Sequence, residues 1–502
     1  MARSSPLPTI PSWFAVLPDE AGAEHAAAKL RGSATDVVAH ASGRPWLLGR
    51  WPDSVVAVGR AGSIAVAAIG QHAIEPDQIA AAAQRVRSVP DVDRFARTIA
   101  GSVHVVAALP GQLRVQGSVT GVRRVFFARA GGTPIAADRA DVLAWLLDAE
   151  PDPALLAAHL LDGLTVHPLA GRPVWRGVEG VPPDHYLTLG ADRLWRTVPW
   201  WAPPEPAVPM ATGAAGVREA LDAAVAVRTA GRELVSCDLG GLDSTAVACL
   251  AARGPARVIA YTAEIRDPLG DDVVWARRTV AALGTVAHEV IPADAMPMTY
   301  AGLLDGVDTF DGPCAAAVDL PRRLAILIRA AGTGSRLHLC GNGGDELLYG
   351  SPSHLHALVR RQPLLAWRNL RGFAAKYGWP RAATLRQLFD RRPYRSWLDR
   401  VAAGLTEPVP PWTEPMLDWG SPPRLPPWTT LEAVSAVREL VRDGVALAPG
   451  RGQHRELAGM RFVSRTTRQI AQVAARLGIA YAAPYYDDRV IEAGLAVRPA
   501  DR

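Results

Sequence analysis

Glu233-Leu-Val-Ser-Cys-Asp-Leu-Gly-Gly-Leu-Asp-Ser-Thr-Ala-Val-Ala-Cys-Leu-Ala-Ala-Arg253 is the stretch that decides the fold of this 502-residue chain. Leu234, Val235, Cys237 and Leu239 form a short apolar run that predicts a buried strand, Gly240-Gly241 a tight turn, and Ser244 to Arg253 an Ala-rich helix closed by Gly254-Pro255. Backbone N–H groups at such a helix start are unpaired and carry the positive end of the helix dipole, so a phosphate or pyrophosphate is favoured there. Asp243 is placed to hold Mg²⁺ against that phosphate, and Ser244 and Thr245 add hydroxyl donors.

Glycine pairs before helices are common, so the weight falls on a second stretch. His338-Leu-Cys-Gly-Asn-Gly-Gly-Asp-Glu-Leu-Leu-Tyr-Gly350 repeats the pattern of apolar lead, glycine turn and acids, here Asp345 and Glu346. Two glycine turns that each deliver a carboxylate make a two-sided cradle for a Mg²⁺-bound triphosphate, because Mg²⁺ takes few carboxylates and completes its shell with phosphate oxygens. The bland alternative is two unrelated tight turns.

At these residues the chain resembles the asparagine synthetase and β-lactam synthetase superfamily. Gly240-Gly-Leu-Asp-Ser-Thr245 is similar to its pyrophosphate loop, whose usual form is Ser-Gly-Gly-Leu-Asp-Ser. Gly341-Asn-Gly-Gly-Asp-Glu346 is similar to its second acidic turn, and Ala483-Pro-Tyr-Tyr-Asp-Asp-Arg489 to its late Pro-Phe-Leu-Asp signature. The surrounding residues, Cys237-Asp-Leu239 and Arg336-Leu-His-Leu339, look most like the lasso-peptide macrolactam cyclase branch. The loop serine of the family is absent, so either Leu239 replaces it or one residue is deleted.

The resemblance implies an α/β chain in two parts. Residues 1–205 would be an N-terminal glutaminase-like (Ntn-type) α/β sandwich. Residues 206–502 would be a PP-loop ATP pyrophosphatase-type synthetase domain with a parallel sheet and helical additions. It also implies ATP and Mg²⁺, with Asp243 and Asp345 carrying the metal. Gly240, Gly241, Ser244 and Thr245 would bind pyrophosphate, and Leu239, Tyr261 and Gly341 would lie near adenosine. The implied partners are a precursor peptide, a leader-binding protein and a leader peptidase. The family's glutaminase nucleophile is a cysteine directly after the initiator methionine, its α-amine serving as base. Here Ala2 stands there and no cysteine precedes Cys237. Release of ammonia from glutamine is therefore not expected, which suits an enzyme whose attacking amine belongs to its substrate. In the superfamily a further segment carries a lysine that faces the acyl-adenylate; Lys29 and Lys376, the only lysines, match neither its place nor its context.

Composition agrees with a folded chain of two to four units: hydrophobic residues make up 49% and charged residues 21%. No run of eighteen uncharged apolar residues occurs, and Pro6, Pro8 and Pro11 interrupt any signal-like pattern, so a cytosolic protein is expected. Cys237, Cys249, Cys314 and Cys340 form no C-x-x-C pair, which predicts reduced, buried thiols.

In the N-terminal part, short apolar runs at 55–58, 63–69, 103–109, 112–116 and 124–128 predict strands, with helices at 77–87 and 140–147. Pro203 to Pro209 reads as a stiff linker and Gly213 to Thr229 as a helix. Arg257 to Ala263 and Ala287 to Ile291 predict parallel strands around a helix at 271–283, and Val318 to Ala331 a further helix. Ten arginines crowd the helical stretch from Arg360 to Arg400, interleaved with Trp367, Tyr377, Trp379, Tyr394 and Trp397. Without a nucleic-acid module these read as snorkelling arginines on a helical subdomain, with a groove for an acidic peptide as the other reading. Pro408 to Pro427 is expected to be irregular, and helices follow at 431–445 and 453–477. The arginines of the last, Arg455, Arg461, Arg465, Arg468 and Arg476, are expected mostly on solvated faces. Asp487 reads as a structural acid under the site.

Three functions remain open on these residues. The first is an ATP-dependent ligase that closes a macrolactam through a carboxyl-adenylate. The second is an asparagine synthetase, ammonia- or glutamine-dependent. The third is a non-catalytic nucleotide- or peptide-binding homologue. No nucleic acid and no membrane partner is expected.

Overall fold

The computed structural model describes residues 10–52, 55–161, 166–305 and 309–502. Ala2 lies outside them. Among the described residues seventeen strands form three sheets. In chain order they are β1 (Trp13–Val16), β2 (Asp36–Ala39), β3 (Pro45–Arg50), β4 (Val56–Ala61), β5 (Ile64–Gln71), β6 (Ser102–Leu109), β7 (Gln112–Gln116), β8 (Phe126–Ala130), β9 (Thr133–Ala137), β10 (Val178–Gly180), β11 (His185–Leu189), β12 (Trp195–Pro199), β13 (Leu234–Asp238), β14 (Arg257–Ala263), β15 (Ala287–Ile291), β16 (Leu337–Leu339) and β17 (Ala480–Ala482).

The first two sheets are antiparallel, ordered β10-β8-β9-β1-β3-β2 and β12-β11-β7-β6-β5-β4. Alternation along the strands sends one set of apolar side chains between the sheets, where Phe14, Val16, Trp46 and Leu47 meet Ala67, Val106, Val115 and Leu187. The opposite face of the first sheet is covered by helices Ala23–Arg31 and Ala140–Leu147, and that of the second by Pro76–Ala83. The result is a four-layer α/β/β/α sandwich. The helix expected at 77–87 is shorter than its periodicity suggested, ending at Ala83.

The third sheet is parallel, ordered β15-β14-β13-β16-β17. Its near-continuous apolar strands are those of a sheet covered on both faces. The chain runs outward from β13 to β14 and β15, then returns to the other side of β13 for β16 and β17. That reversal makes a switch point between β13 and β16, and at the carboxyl ends of the strands such a point opens a crevice for ligands. Helices Met210–Thr229, Leu242–Ala251 and Asp488–Leu495 pack together beside this sheet, and Leu320–Gly332 packs against the long helix Arg451–Ala474. The second antiparallel sheet and the parallel sheet share one continuous core through Trp200, Trp201 and Leu221.

A helical lobe spans Leu355 to Ala403, with Leu431–Arg442 added to it. All ten arginines between Arg360 and Arg400 are exposed, while Trp379, Tyr394 and Trp397 are buried in the lobe's cores. The expectation of a solvated arginine face fails for the long helix Arg451–Ala474. Arg455, Arg461, Arg465 and Arg468 are largely covered, and Arg476, just beyond the helix, is exposed. The physical reason is position: this helix lies between the sandwich and the helical lobe, so its polar side meets protein rather than water. No helix among the described residues is long and apolar enough to cross a membrane.

Candidate active site

The three motifs follow β13, β16 and β17, which are neighbours in the parallel sheet, so three turns far apart in sequence emerge side by side at one edge. After β13, Gly241 caps the helix Leu242–Ala251. Thr245 N–H and the Ser244 hydroxyl both donate to the Gly241 carbonyl, at 3.0 and 3.1 Å. Leu242 is 91% exposed on the loop's outer side.

The two acidic turns touch. A Cβ on Gly344 would stand 2.2 Å from Asp243 Cγ and 2.4 and 2.5 Å from its carboxylate oxygens, and one on Gly341 would stand 2.5 Å from Ser244 N. A side chain at Gly341 would strike backbone, and one at Gly344 would push the Asp243 carboxylate aside. The Asp345 N–H donates to the Asp243 carboxylate, and burial followed by the negative charge of Asp345 pushes the Asp243 carboxyl up to about 6. Glu346 is raised by burial as well, and by the charges of Asp345 and Asp243. Asp345 itself is exposed. Among the described residues no group of three or more His, Cys, Asp or Glu is placed to hold a metal ion alone. Two carboxylates that repel each other nevertheless fit Mg²⁺, which takes its other ligands from phosphate and water.

The third turn closes the floor. Gly343, at φ +100°, holds the left-handed conformation that caps the helix Gly344–Leu348, and a Cβ there would lie 2.9 Å from the Tyr486 ring. Tyr485 lies near both acids, and its phenol is raised by burial and then by Asp243 and Asp345. Asp487 faces away from the crevice. Arg228 grips both its oxygens, Nη1 to Oδ2 at 2.8 Å and Nη2 to Oδ1, with both side chains almost fully buried. The same guanidinium donates to Gln71 Oε1 at 2.7 Å and to the Ala224 carbonyl at 2.6 Å. Asn342 of the second turn donates to Thr467 Oγ1 on the long helix at 3.0 Å.

Of the other residues singled out, Gly240 sits beside Asp272, whose Cβ would be 3.2 Å from an added methyl. Leu239 and Tyr261 are 3% and 1% exposed, so their side chains belong to the core. The Tyr261 carbonyl is taken by Leu239 N–H at 2.9 Å, and the Leu239 carbonyl accepts from Thr262 Oγ1 at 2.6 Å.

One functional feature was not read from sequence. Asp238, immediately before the loop, lies 3.1 Å from His338 Nε2, and His338 Nδ1 is 3.0 Å from Ser236 Oγ. Tyr481 stacks on His338, with centroids 6.0 Å apart. Burial raises the Asp238 carboxyl, but His338 prevails and lowers it. This polar chain fastens β13, β16 and β17 beneath the crevice. Its signal was available as polar residues, Ser236, Asp238 and His338, inside otherwise apolar strands.

Residues 216–502, more than half of the chain, match the family model described as asparagine synthase. The chain belongs to the asparagine synthase family. Membership supports an ATP-dependent amide-forming ligase in general terms. No curated protein matches the chain. Two solved structures are similar in part. One is described as the allosteric regulatory enzyme of purine biosynthesis, at 9% identity and TM-score 0.21, covering 48% of this chain and 62% of that one. The other is the glutamine phosphoribosylpyrophosphate amidotransferase from B. subtilis complexed with ADP and GMP, at 9% identity and TM-score 0.23, covering 51% of this chain and 69% of that one. The chain spans less than two thirds of the first of these, and at such TM-scores neither likeness adds to what the fold already says.

Proposed function

We propose that this member of the asparagine synthase family activates a side-chain carboxylate of a precursor peptide with ATP, as an acyl-adenylate, and lets the peptide's own N-terminal amine attack it. The products are a macrolactam, AMP and pyrophosphate. The observation that carries the proposal is the meeting of the Asp243 and Asp345 turns at the switch point, the Asp243 carboxylate lying against Gly344. In this reading residues 206–502 are a synthetase domain of the PP-loop type and residues 1–205 a glutaminase-like sandwich without glutaminase chemistry.

The roles follow from chemistry. Gly240, Gly241, Ser244 and Thr245 would hold the departing pyrophosphate by N–H groups, hydroxyls and the helix dipole. Asp243 and Asp345 would hold Mg²⁺, which supplies charge neutralisation for the phosphates. Adenosine would lie near Leu239, Tyr261 and Gly341. Holding amine and activated carboxyl in one bound peptide makes the second step effectively unimolecular, which is where large rate gains arise. A leader-binding protein and a leader peptidase would supply the peptide.

The decisive experiment is ATP–pyrophosphate exchange with Mg²⁺ and candidate precursor peptides, run beside aspartate plus ammonium. Peptide-dependent exchange with macrolactam formation supports the proposal. Exchange with aspartate alone reassigns the substrate to asparagine synthesis. ATP binding with no AMP formed from any substrate makes the protein a non-catalytic binder.

A further inference from the structure

Between the sandwich and the long helix Arg451–Ala474 lies a cavity of about 90 Å³. Arg461, Arg465 and Arg468 enter it from successive turns of that helix, Arg124 from the strand side, and Arg172 stands exposed at the rim. The guanidiniums of Arg124, Arg461 and Arg468 are only partly engaged. Arg124 donates to the Gly171 carbonyl at 2.9 Å, Arg461 pairs with Asp184 at 3.2 Å, and Arg468 pairs with Asp311, while Arg465 donates to the Pro313 carbonyl at 2.6 Å and reaches His159 Nδ1 at 3.1 Å and the Ala170 carbonyl at 3.5 Å. The buried Nε atoms of Arg124, Arg461 and Arg468, and Nη1 of Arg461, have no hydrogen-bond partner.

Charge does not balance here. Among the described residues Asp184 pairs with Arg461 and Asp311 with Arg468, Asp138 and Asp141 act on Arg468 from farther off, and no ion pair joins Arg124 or Arg465 to a carboxylate. His167 and His159 are driven neutral, to about 3 and about 4, first by burial and then by the arginines. Burial and then Arg461 and Arg465 bring Arg124 down to about 10, and burial with Arg124 and Arg139, only partly opposed by Asp138 and Asp141, brings Arg468 down to about 9. Buried cations without partners are costly, and forked N–H donors match planar or tetrahedral oxyanions. A water cannot cure an excess of positive charge. An anion can.

We propose that this cavity binds a compact oxyanion, of phosphate or carboxylate type, held by Arg124, Arg461, Arg465 and Arg468. The site is separate from the nucleotide crevice but not isolated from it: Thr467, next to Arg468, accepts the hydrogen bond from Asn342 of the second acidic turn. Ser464 of the same helix donates to the Thr120 carbonyl of the sandwich at 2.7 Å. An anion here would clamp the sandwich to the helix that supports Asn342. The inference does not rest on the ligase proposal.

The test is thermal unfolding of the full chain with inorganic phosphate or glutarate, in EDTA and at ionic strength held constant with sodium chloride. Saturable stabilisation by at least one of the two is expected, and which one acts distinguishes a phosphate from a carboxylate source. Arg124→Met should weaken that response about tenfold or more, as loss of a charge-assisted hydrogen bond requires. The same variant should be no less stable than wild type without anion, because it relieves crowding of like charge. Asp243→Asn, in the nucleotide crevice, should keep the response. No stabilisation by either anion overturns the inference, as does a response unchanged in Arg124→Met. If Arg124→Met does not fold, Arg461→Lys, which keeps charge but loses the fork, is held to the same criterion.

Discussion

Gly344→Ala isolates the contact between the two acidic turns. Gly344 begins a helix with ordinary negative φ, so alanine is compatible with its backbone, and helix propensity alone would favour it by up to about 1 kcal/mol. The new methyl would nevertheless sit 2.2 Å from Asp243 Cγ, where ordinary contact starts at 3.4 Å. Either Asp243 or the Asp345 turn must therefore move by about 1 Å, and the N–H of Asp345 would lose its carboxylate acceptor. A misplacement of about 1 Å at a reacting centre costs roughly 100-fold in rate. The expected outcome is a protein whose stability changes by no more than about 1 kcal/mol, whose Mg²⁺-dependent ATP binding by calorimetry is severely weakened, and whose AMP formation falls by about two orders of magnitude. Unaltered Mg²⁺-ATP affinity in a folded Gly344→Ala protein would refute the claim that the Asp243 and Asp345 turns form one site.

Three further outcomes are expected. The folded-state carboxyl of Asp243 is raised from 3.8 to about 6, so its stabilising contribution is present below pH 4 and lost as pH rises through 6. Asp243→Asn should then be more stable than wild type above pH 6 by on the order of 1 kcal/mol, discounted for solvent screening, with no difference near pH 3.5 in denaturant titrations, and should lose Mg²⁺-ATP binding. Arg228→Met should cost about 3–5 kcal/mol in urea unfolding, because it strands the buried Asp487 carboxylate; a cost below about 1 kcal/mol would show that the pair is not the clip it looks to be. Cys237 and Cys340 are fully buried and their thiols are raised by burial, Cys340 to about 12, so a thiol reagent should label neither until the protein unfolds, and no disulfide should appear under non-reducing conditions.

The parallel sheet was legible because its strands are short apolar runs ended by glycines. β14 and β15 occupy the ranges that their sequences indicate, whereas the helix expected over Ser244 to Arg253 begins and ends two residues earlier, at Leu242–Ala251, because Gly241 itself is its cap. In the sandwich, β4 to β8 are visible as alternating runs between turns. β1, β2, β3 and β9 to β12 are not: several span only three to five residues, and partners such as Ala15 and Ala137 lie more than a hundred residues apart. The site motifs could be read, since glycine turns with acids are local patterns. What could not be read is the fate of polar side chains that another lobe covers. Arg461, Arg465 and Arg468 have the helical spacing of a solvated face, and only the placement of that helix under the sandwich turns them inward. Asp238 and His338 sit in strands whose apolar neighbours mask them, and their pairing depends on β13 lying beside β16.

The sandwich is part of the site's support whatever its own chemistry. Gln71, at the end of β5, receives Arg228, which in turn fixes Asp487 in the third turn. Val119 N–H donates to Asp488 at 3.0 Å and Trp201 Nε1 to Glu492 at 3.0 Å, so the helix that follows that turn is held at two more points by the N-terminal part. Two of these acids are deeply placed: Asp488 is pushed up to about 8 by burial and by Asp487 and Glu492, and Asp487 depends on Arg228 for its charge. Buried acids of this kind are tolerated only while each keeps its donor. Removing the sandwich would leave Arg228 without Gln71, and Asp488 and Glu492 without their donors, directly under the turn that packs on Gly343. The sandwich thus contributes geometry to the site, because the floor on which Asp243 and Asp345 meet is bonded to it.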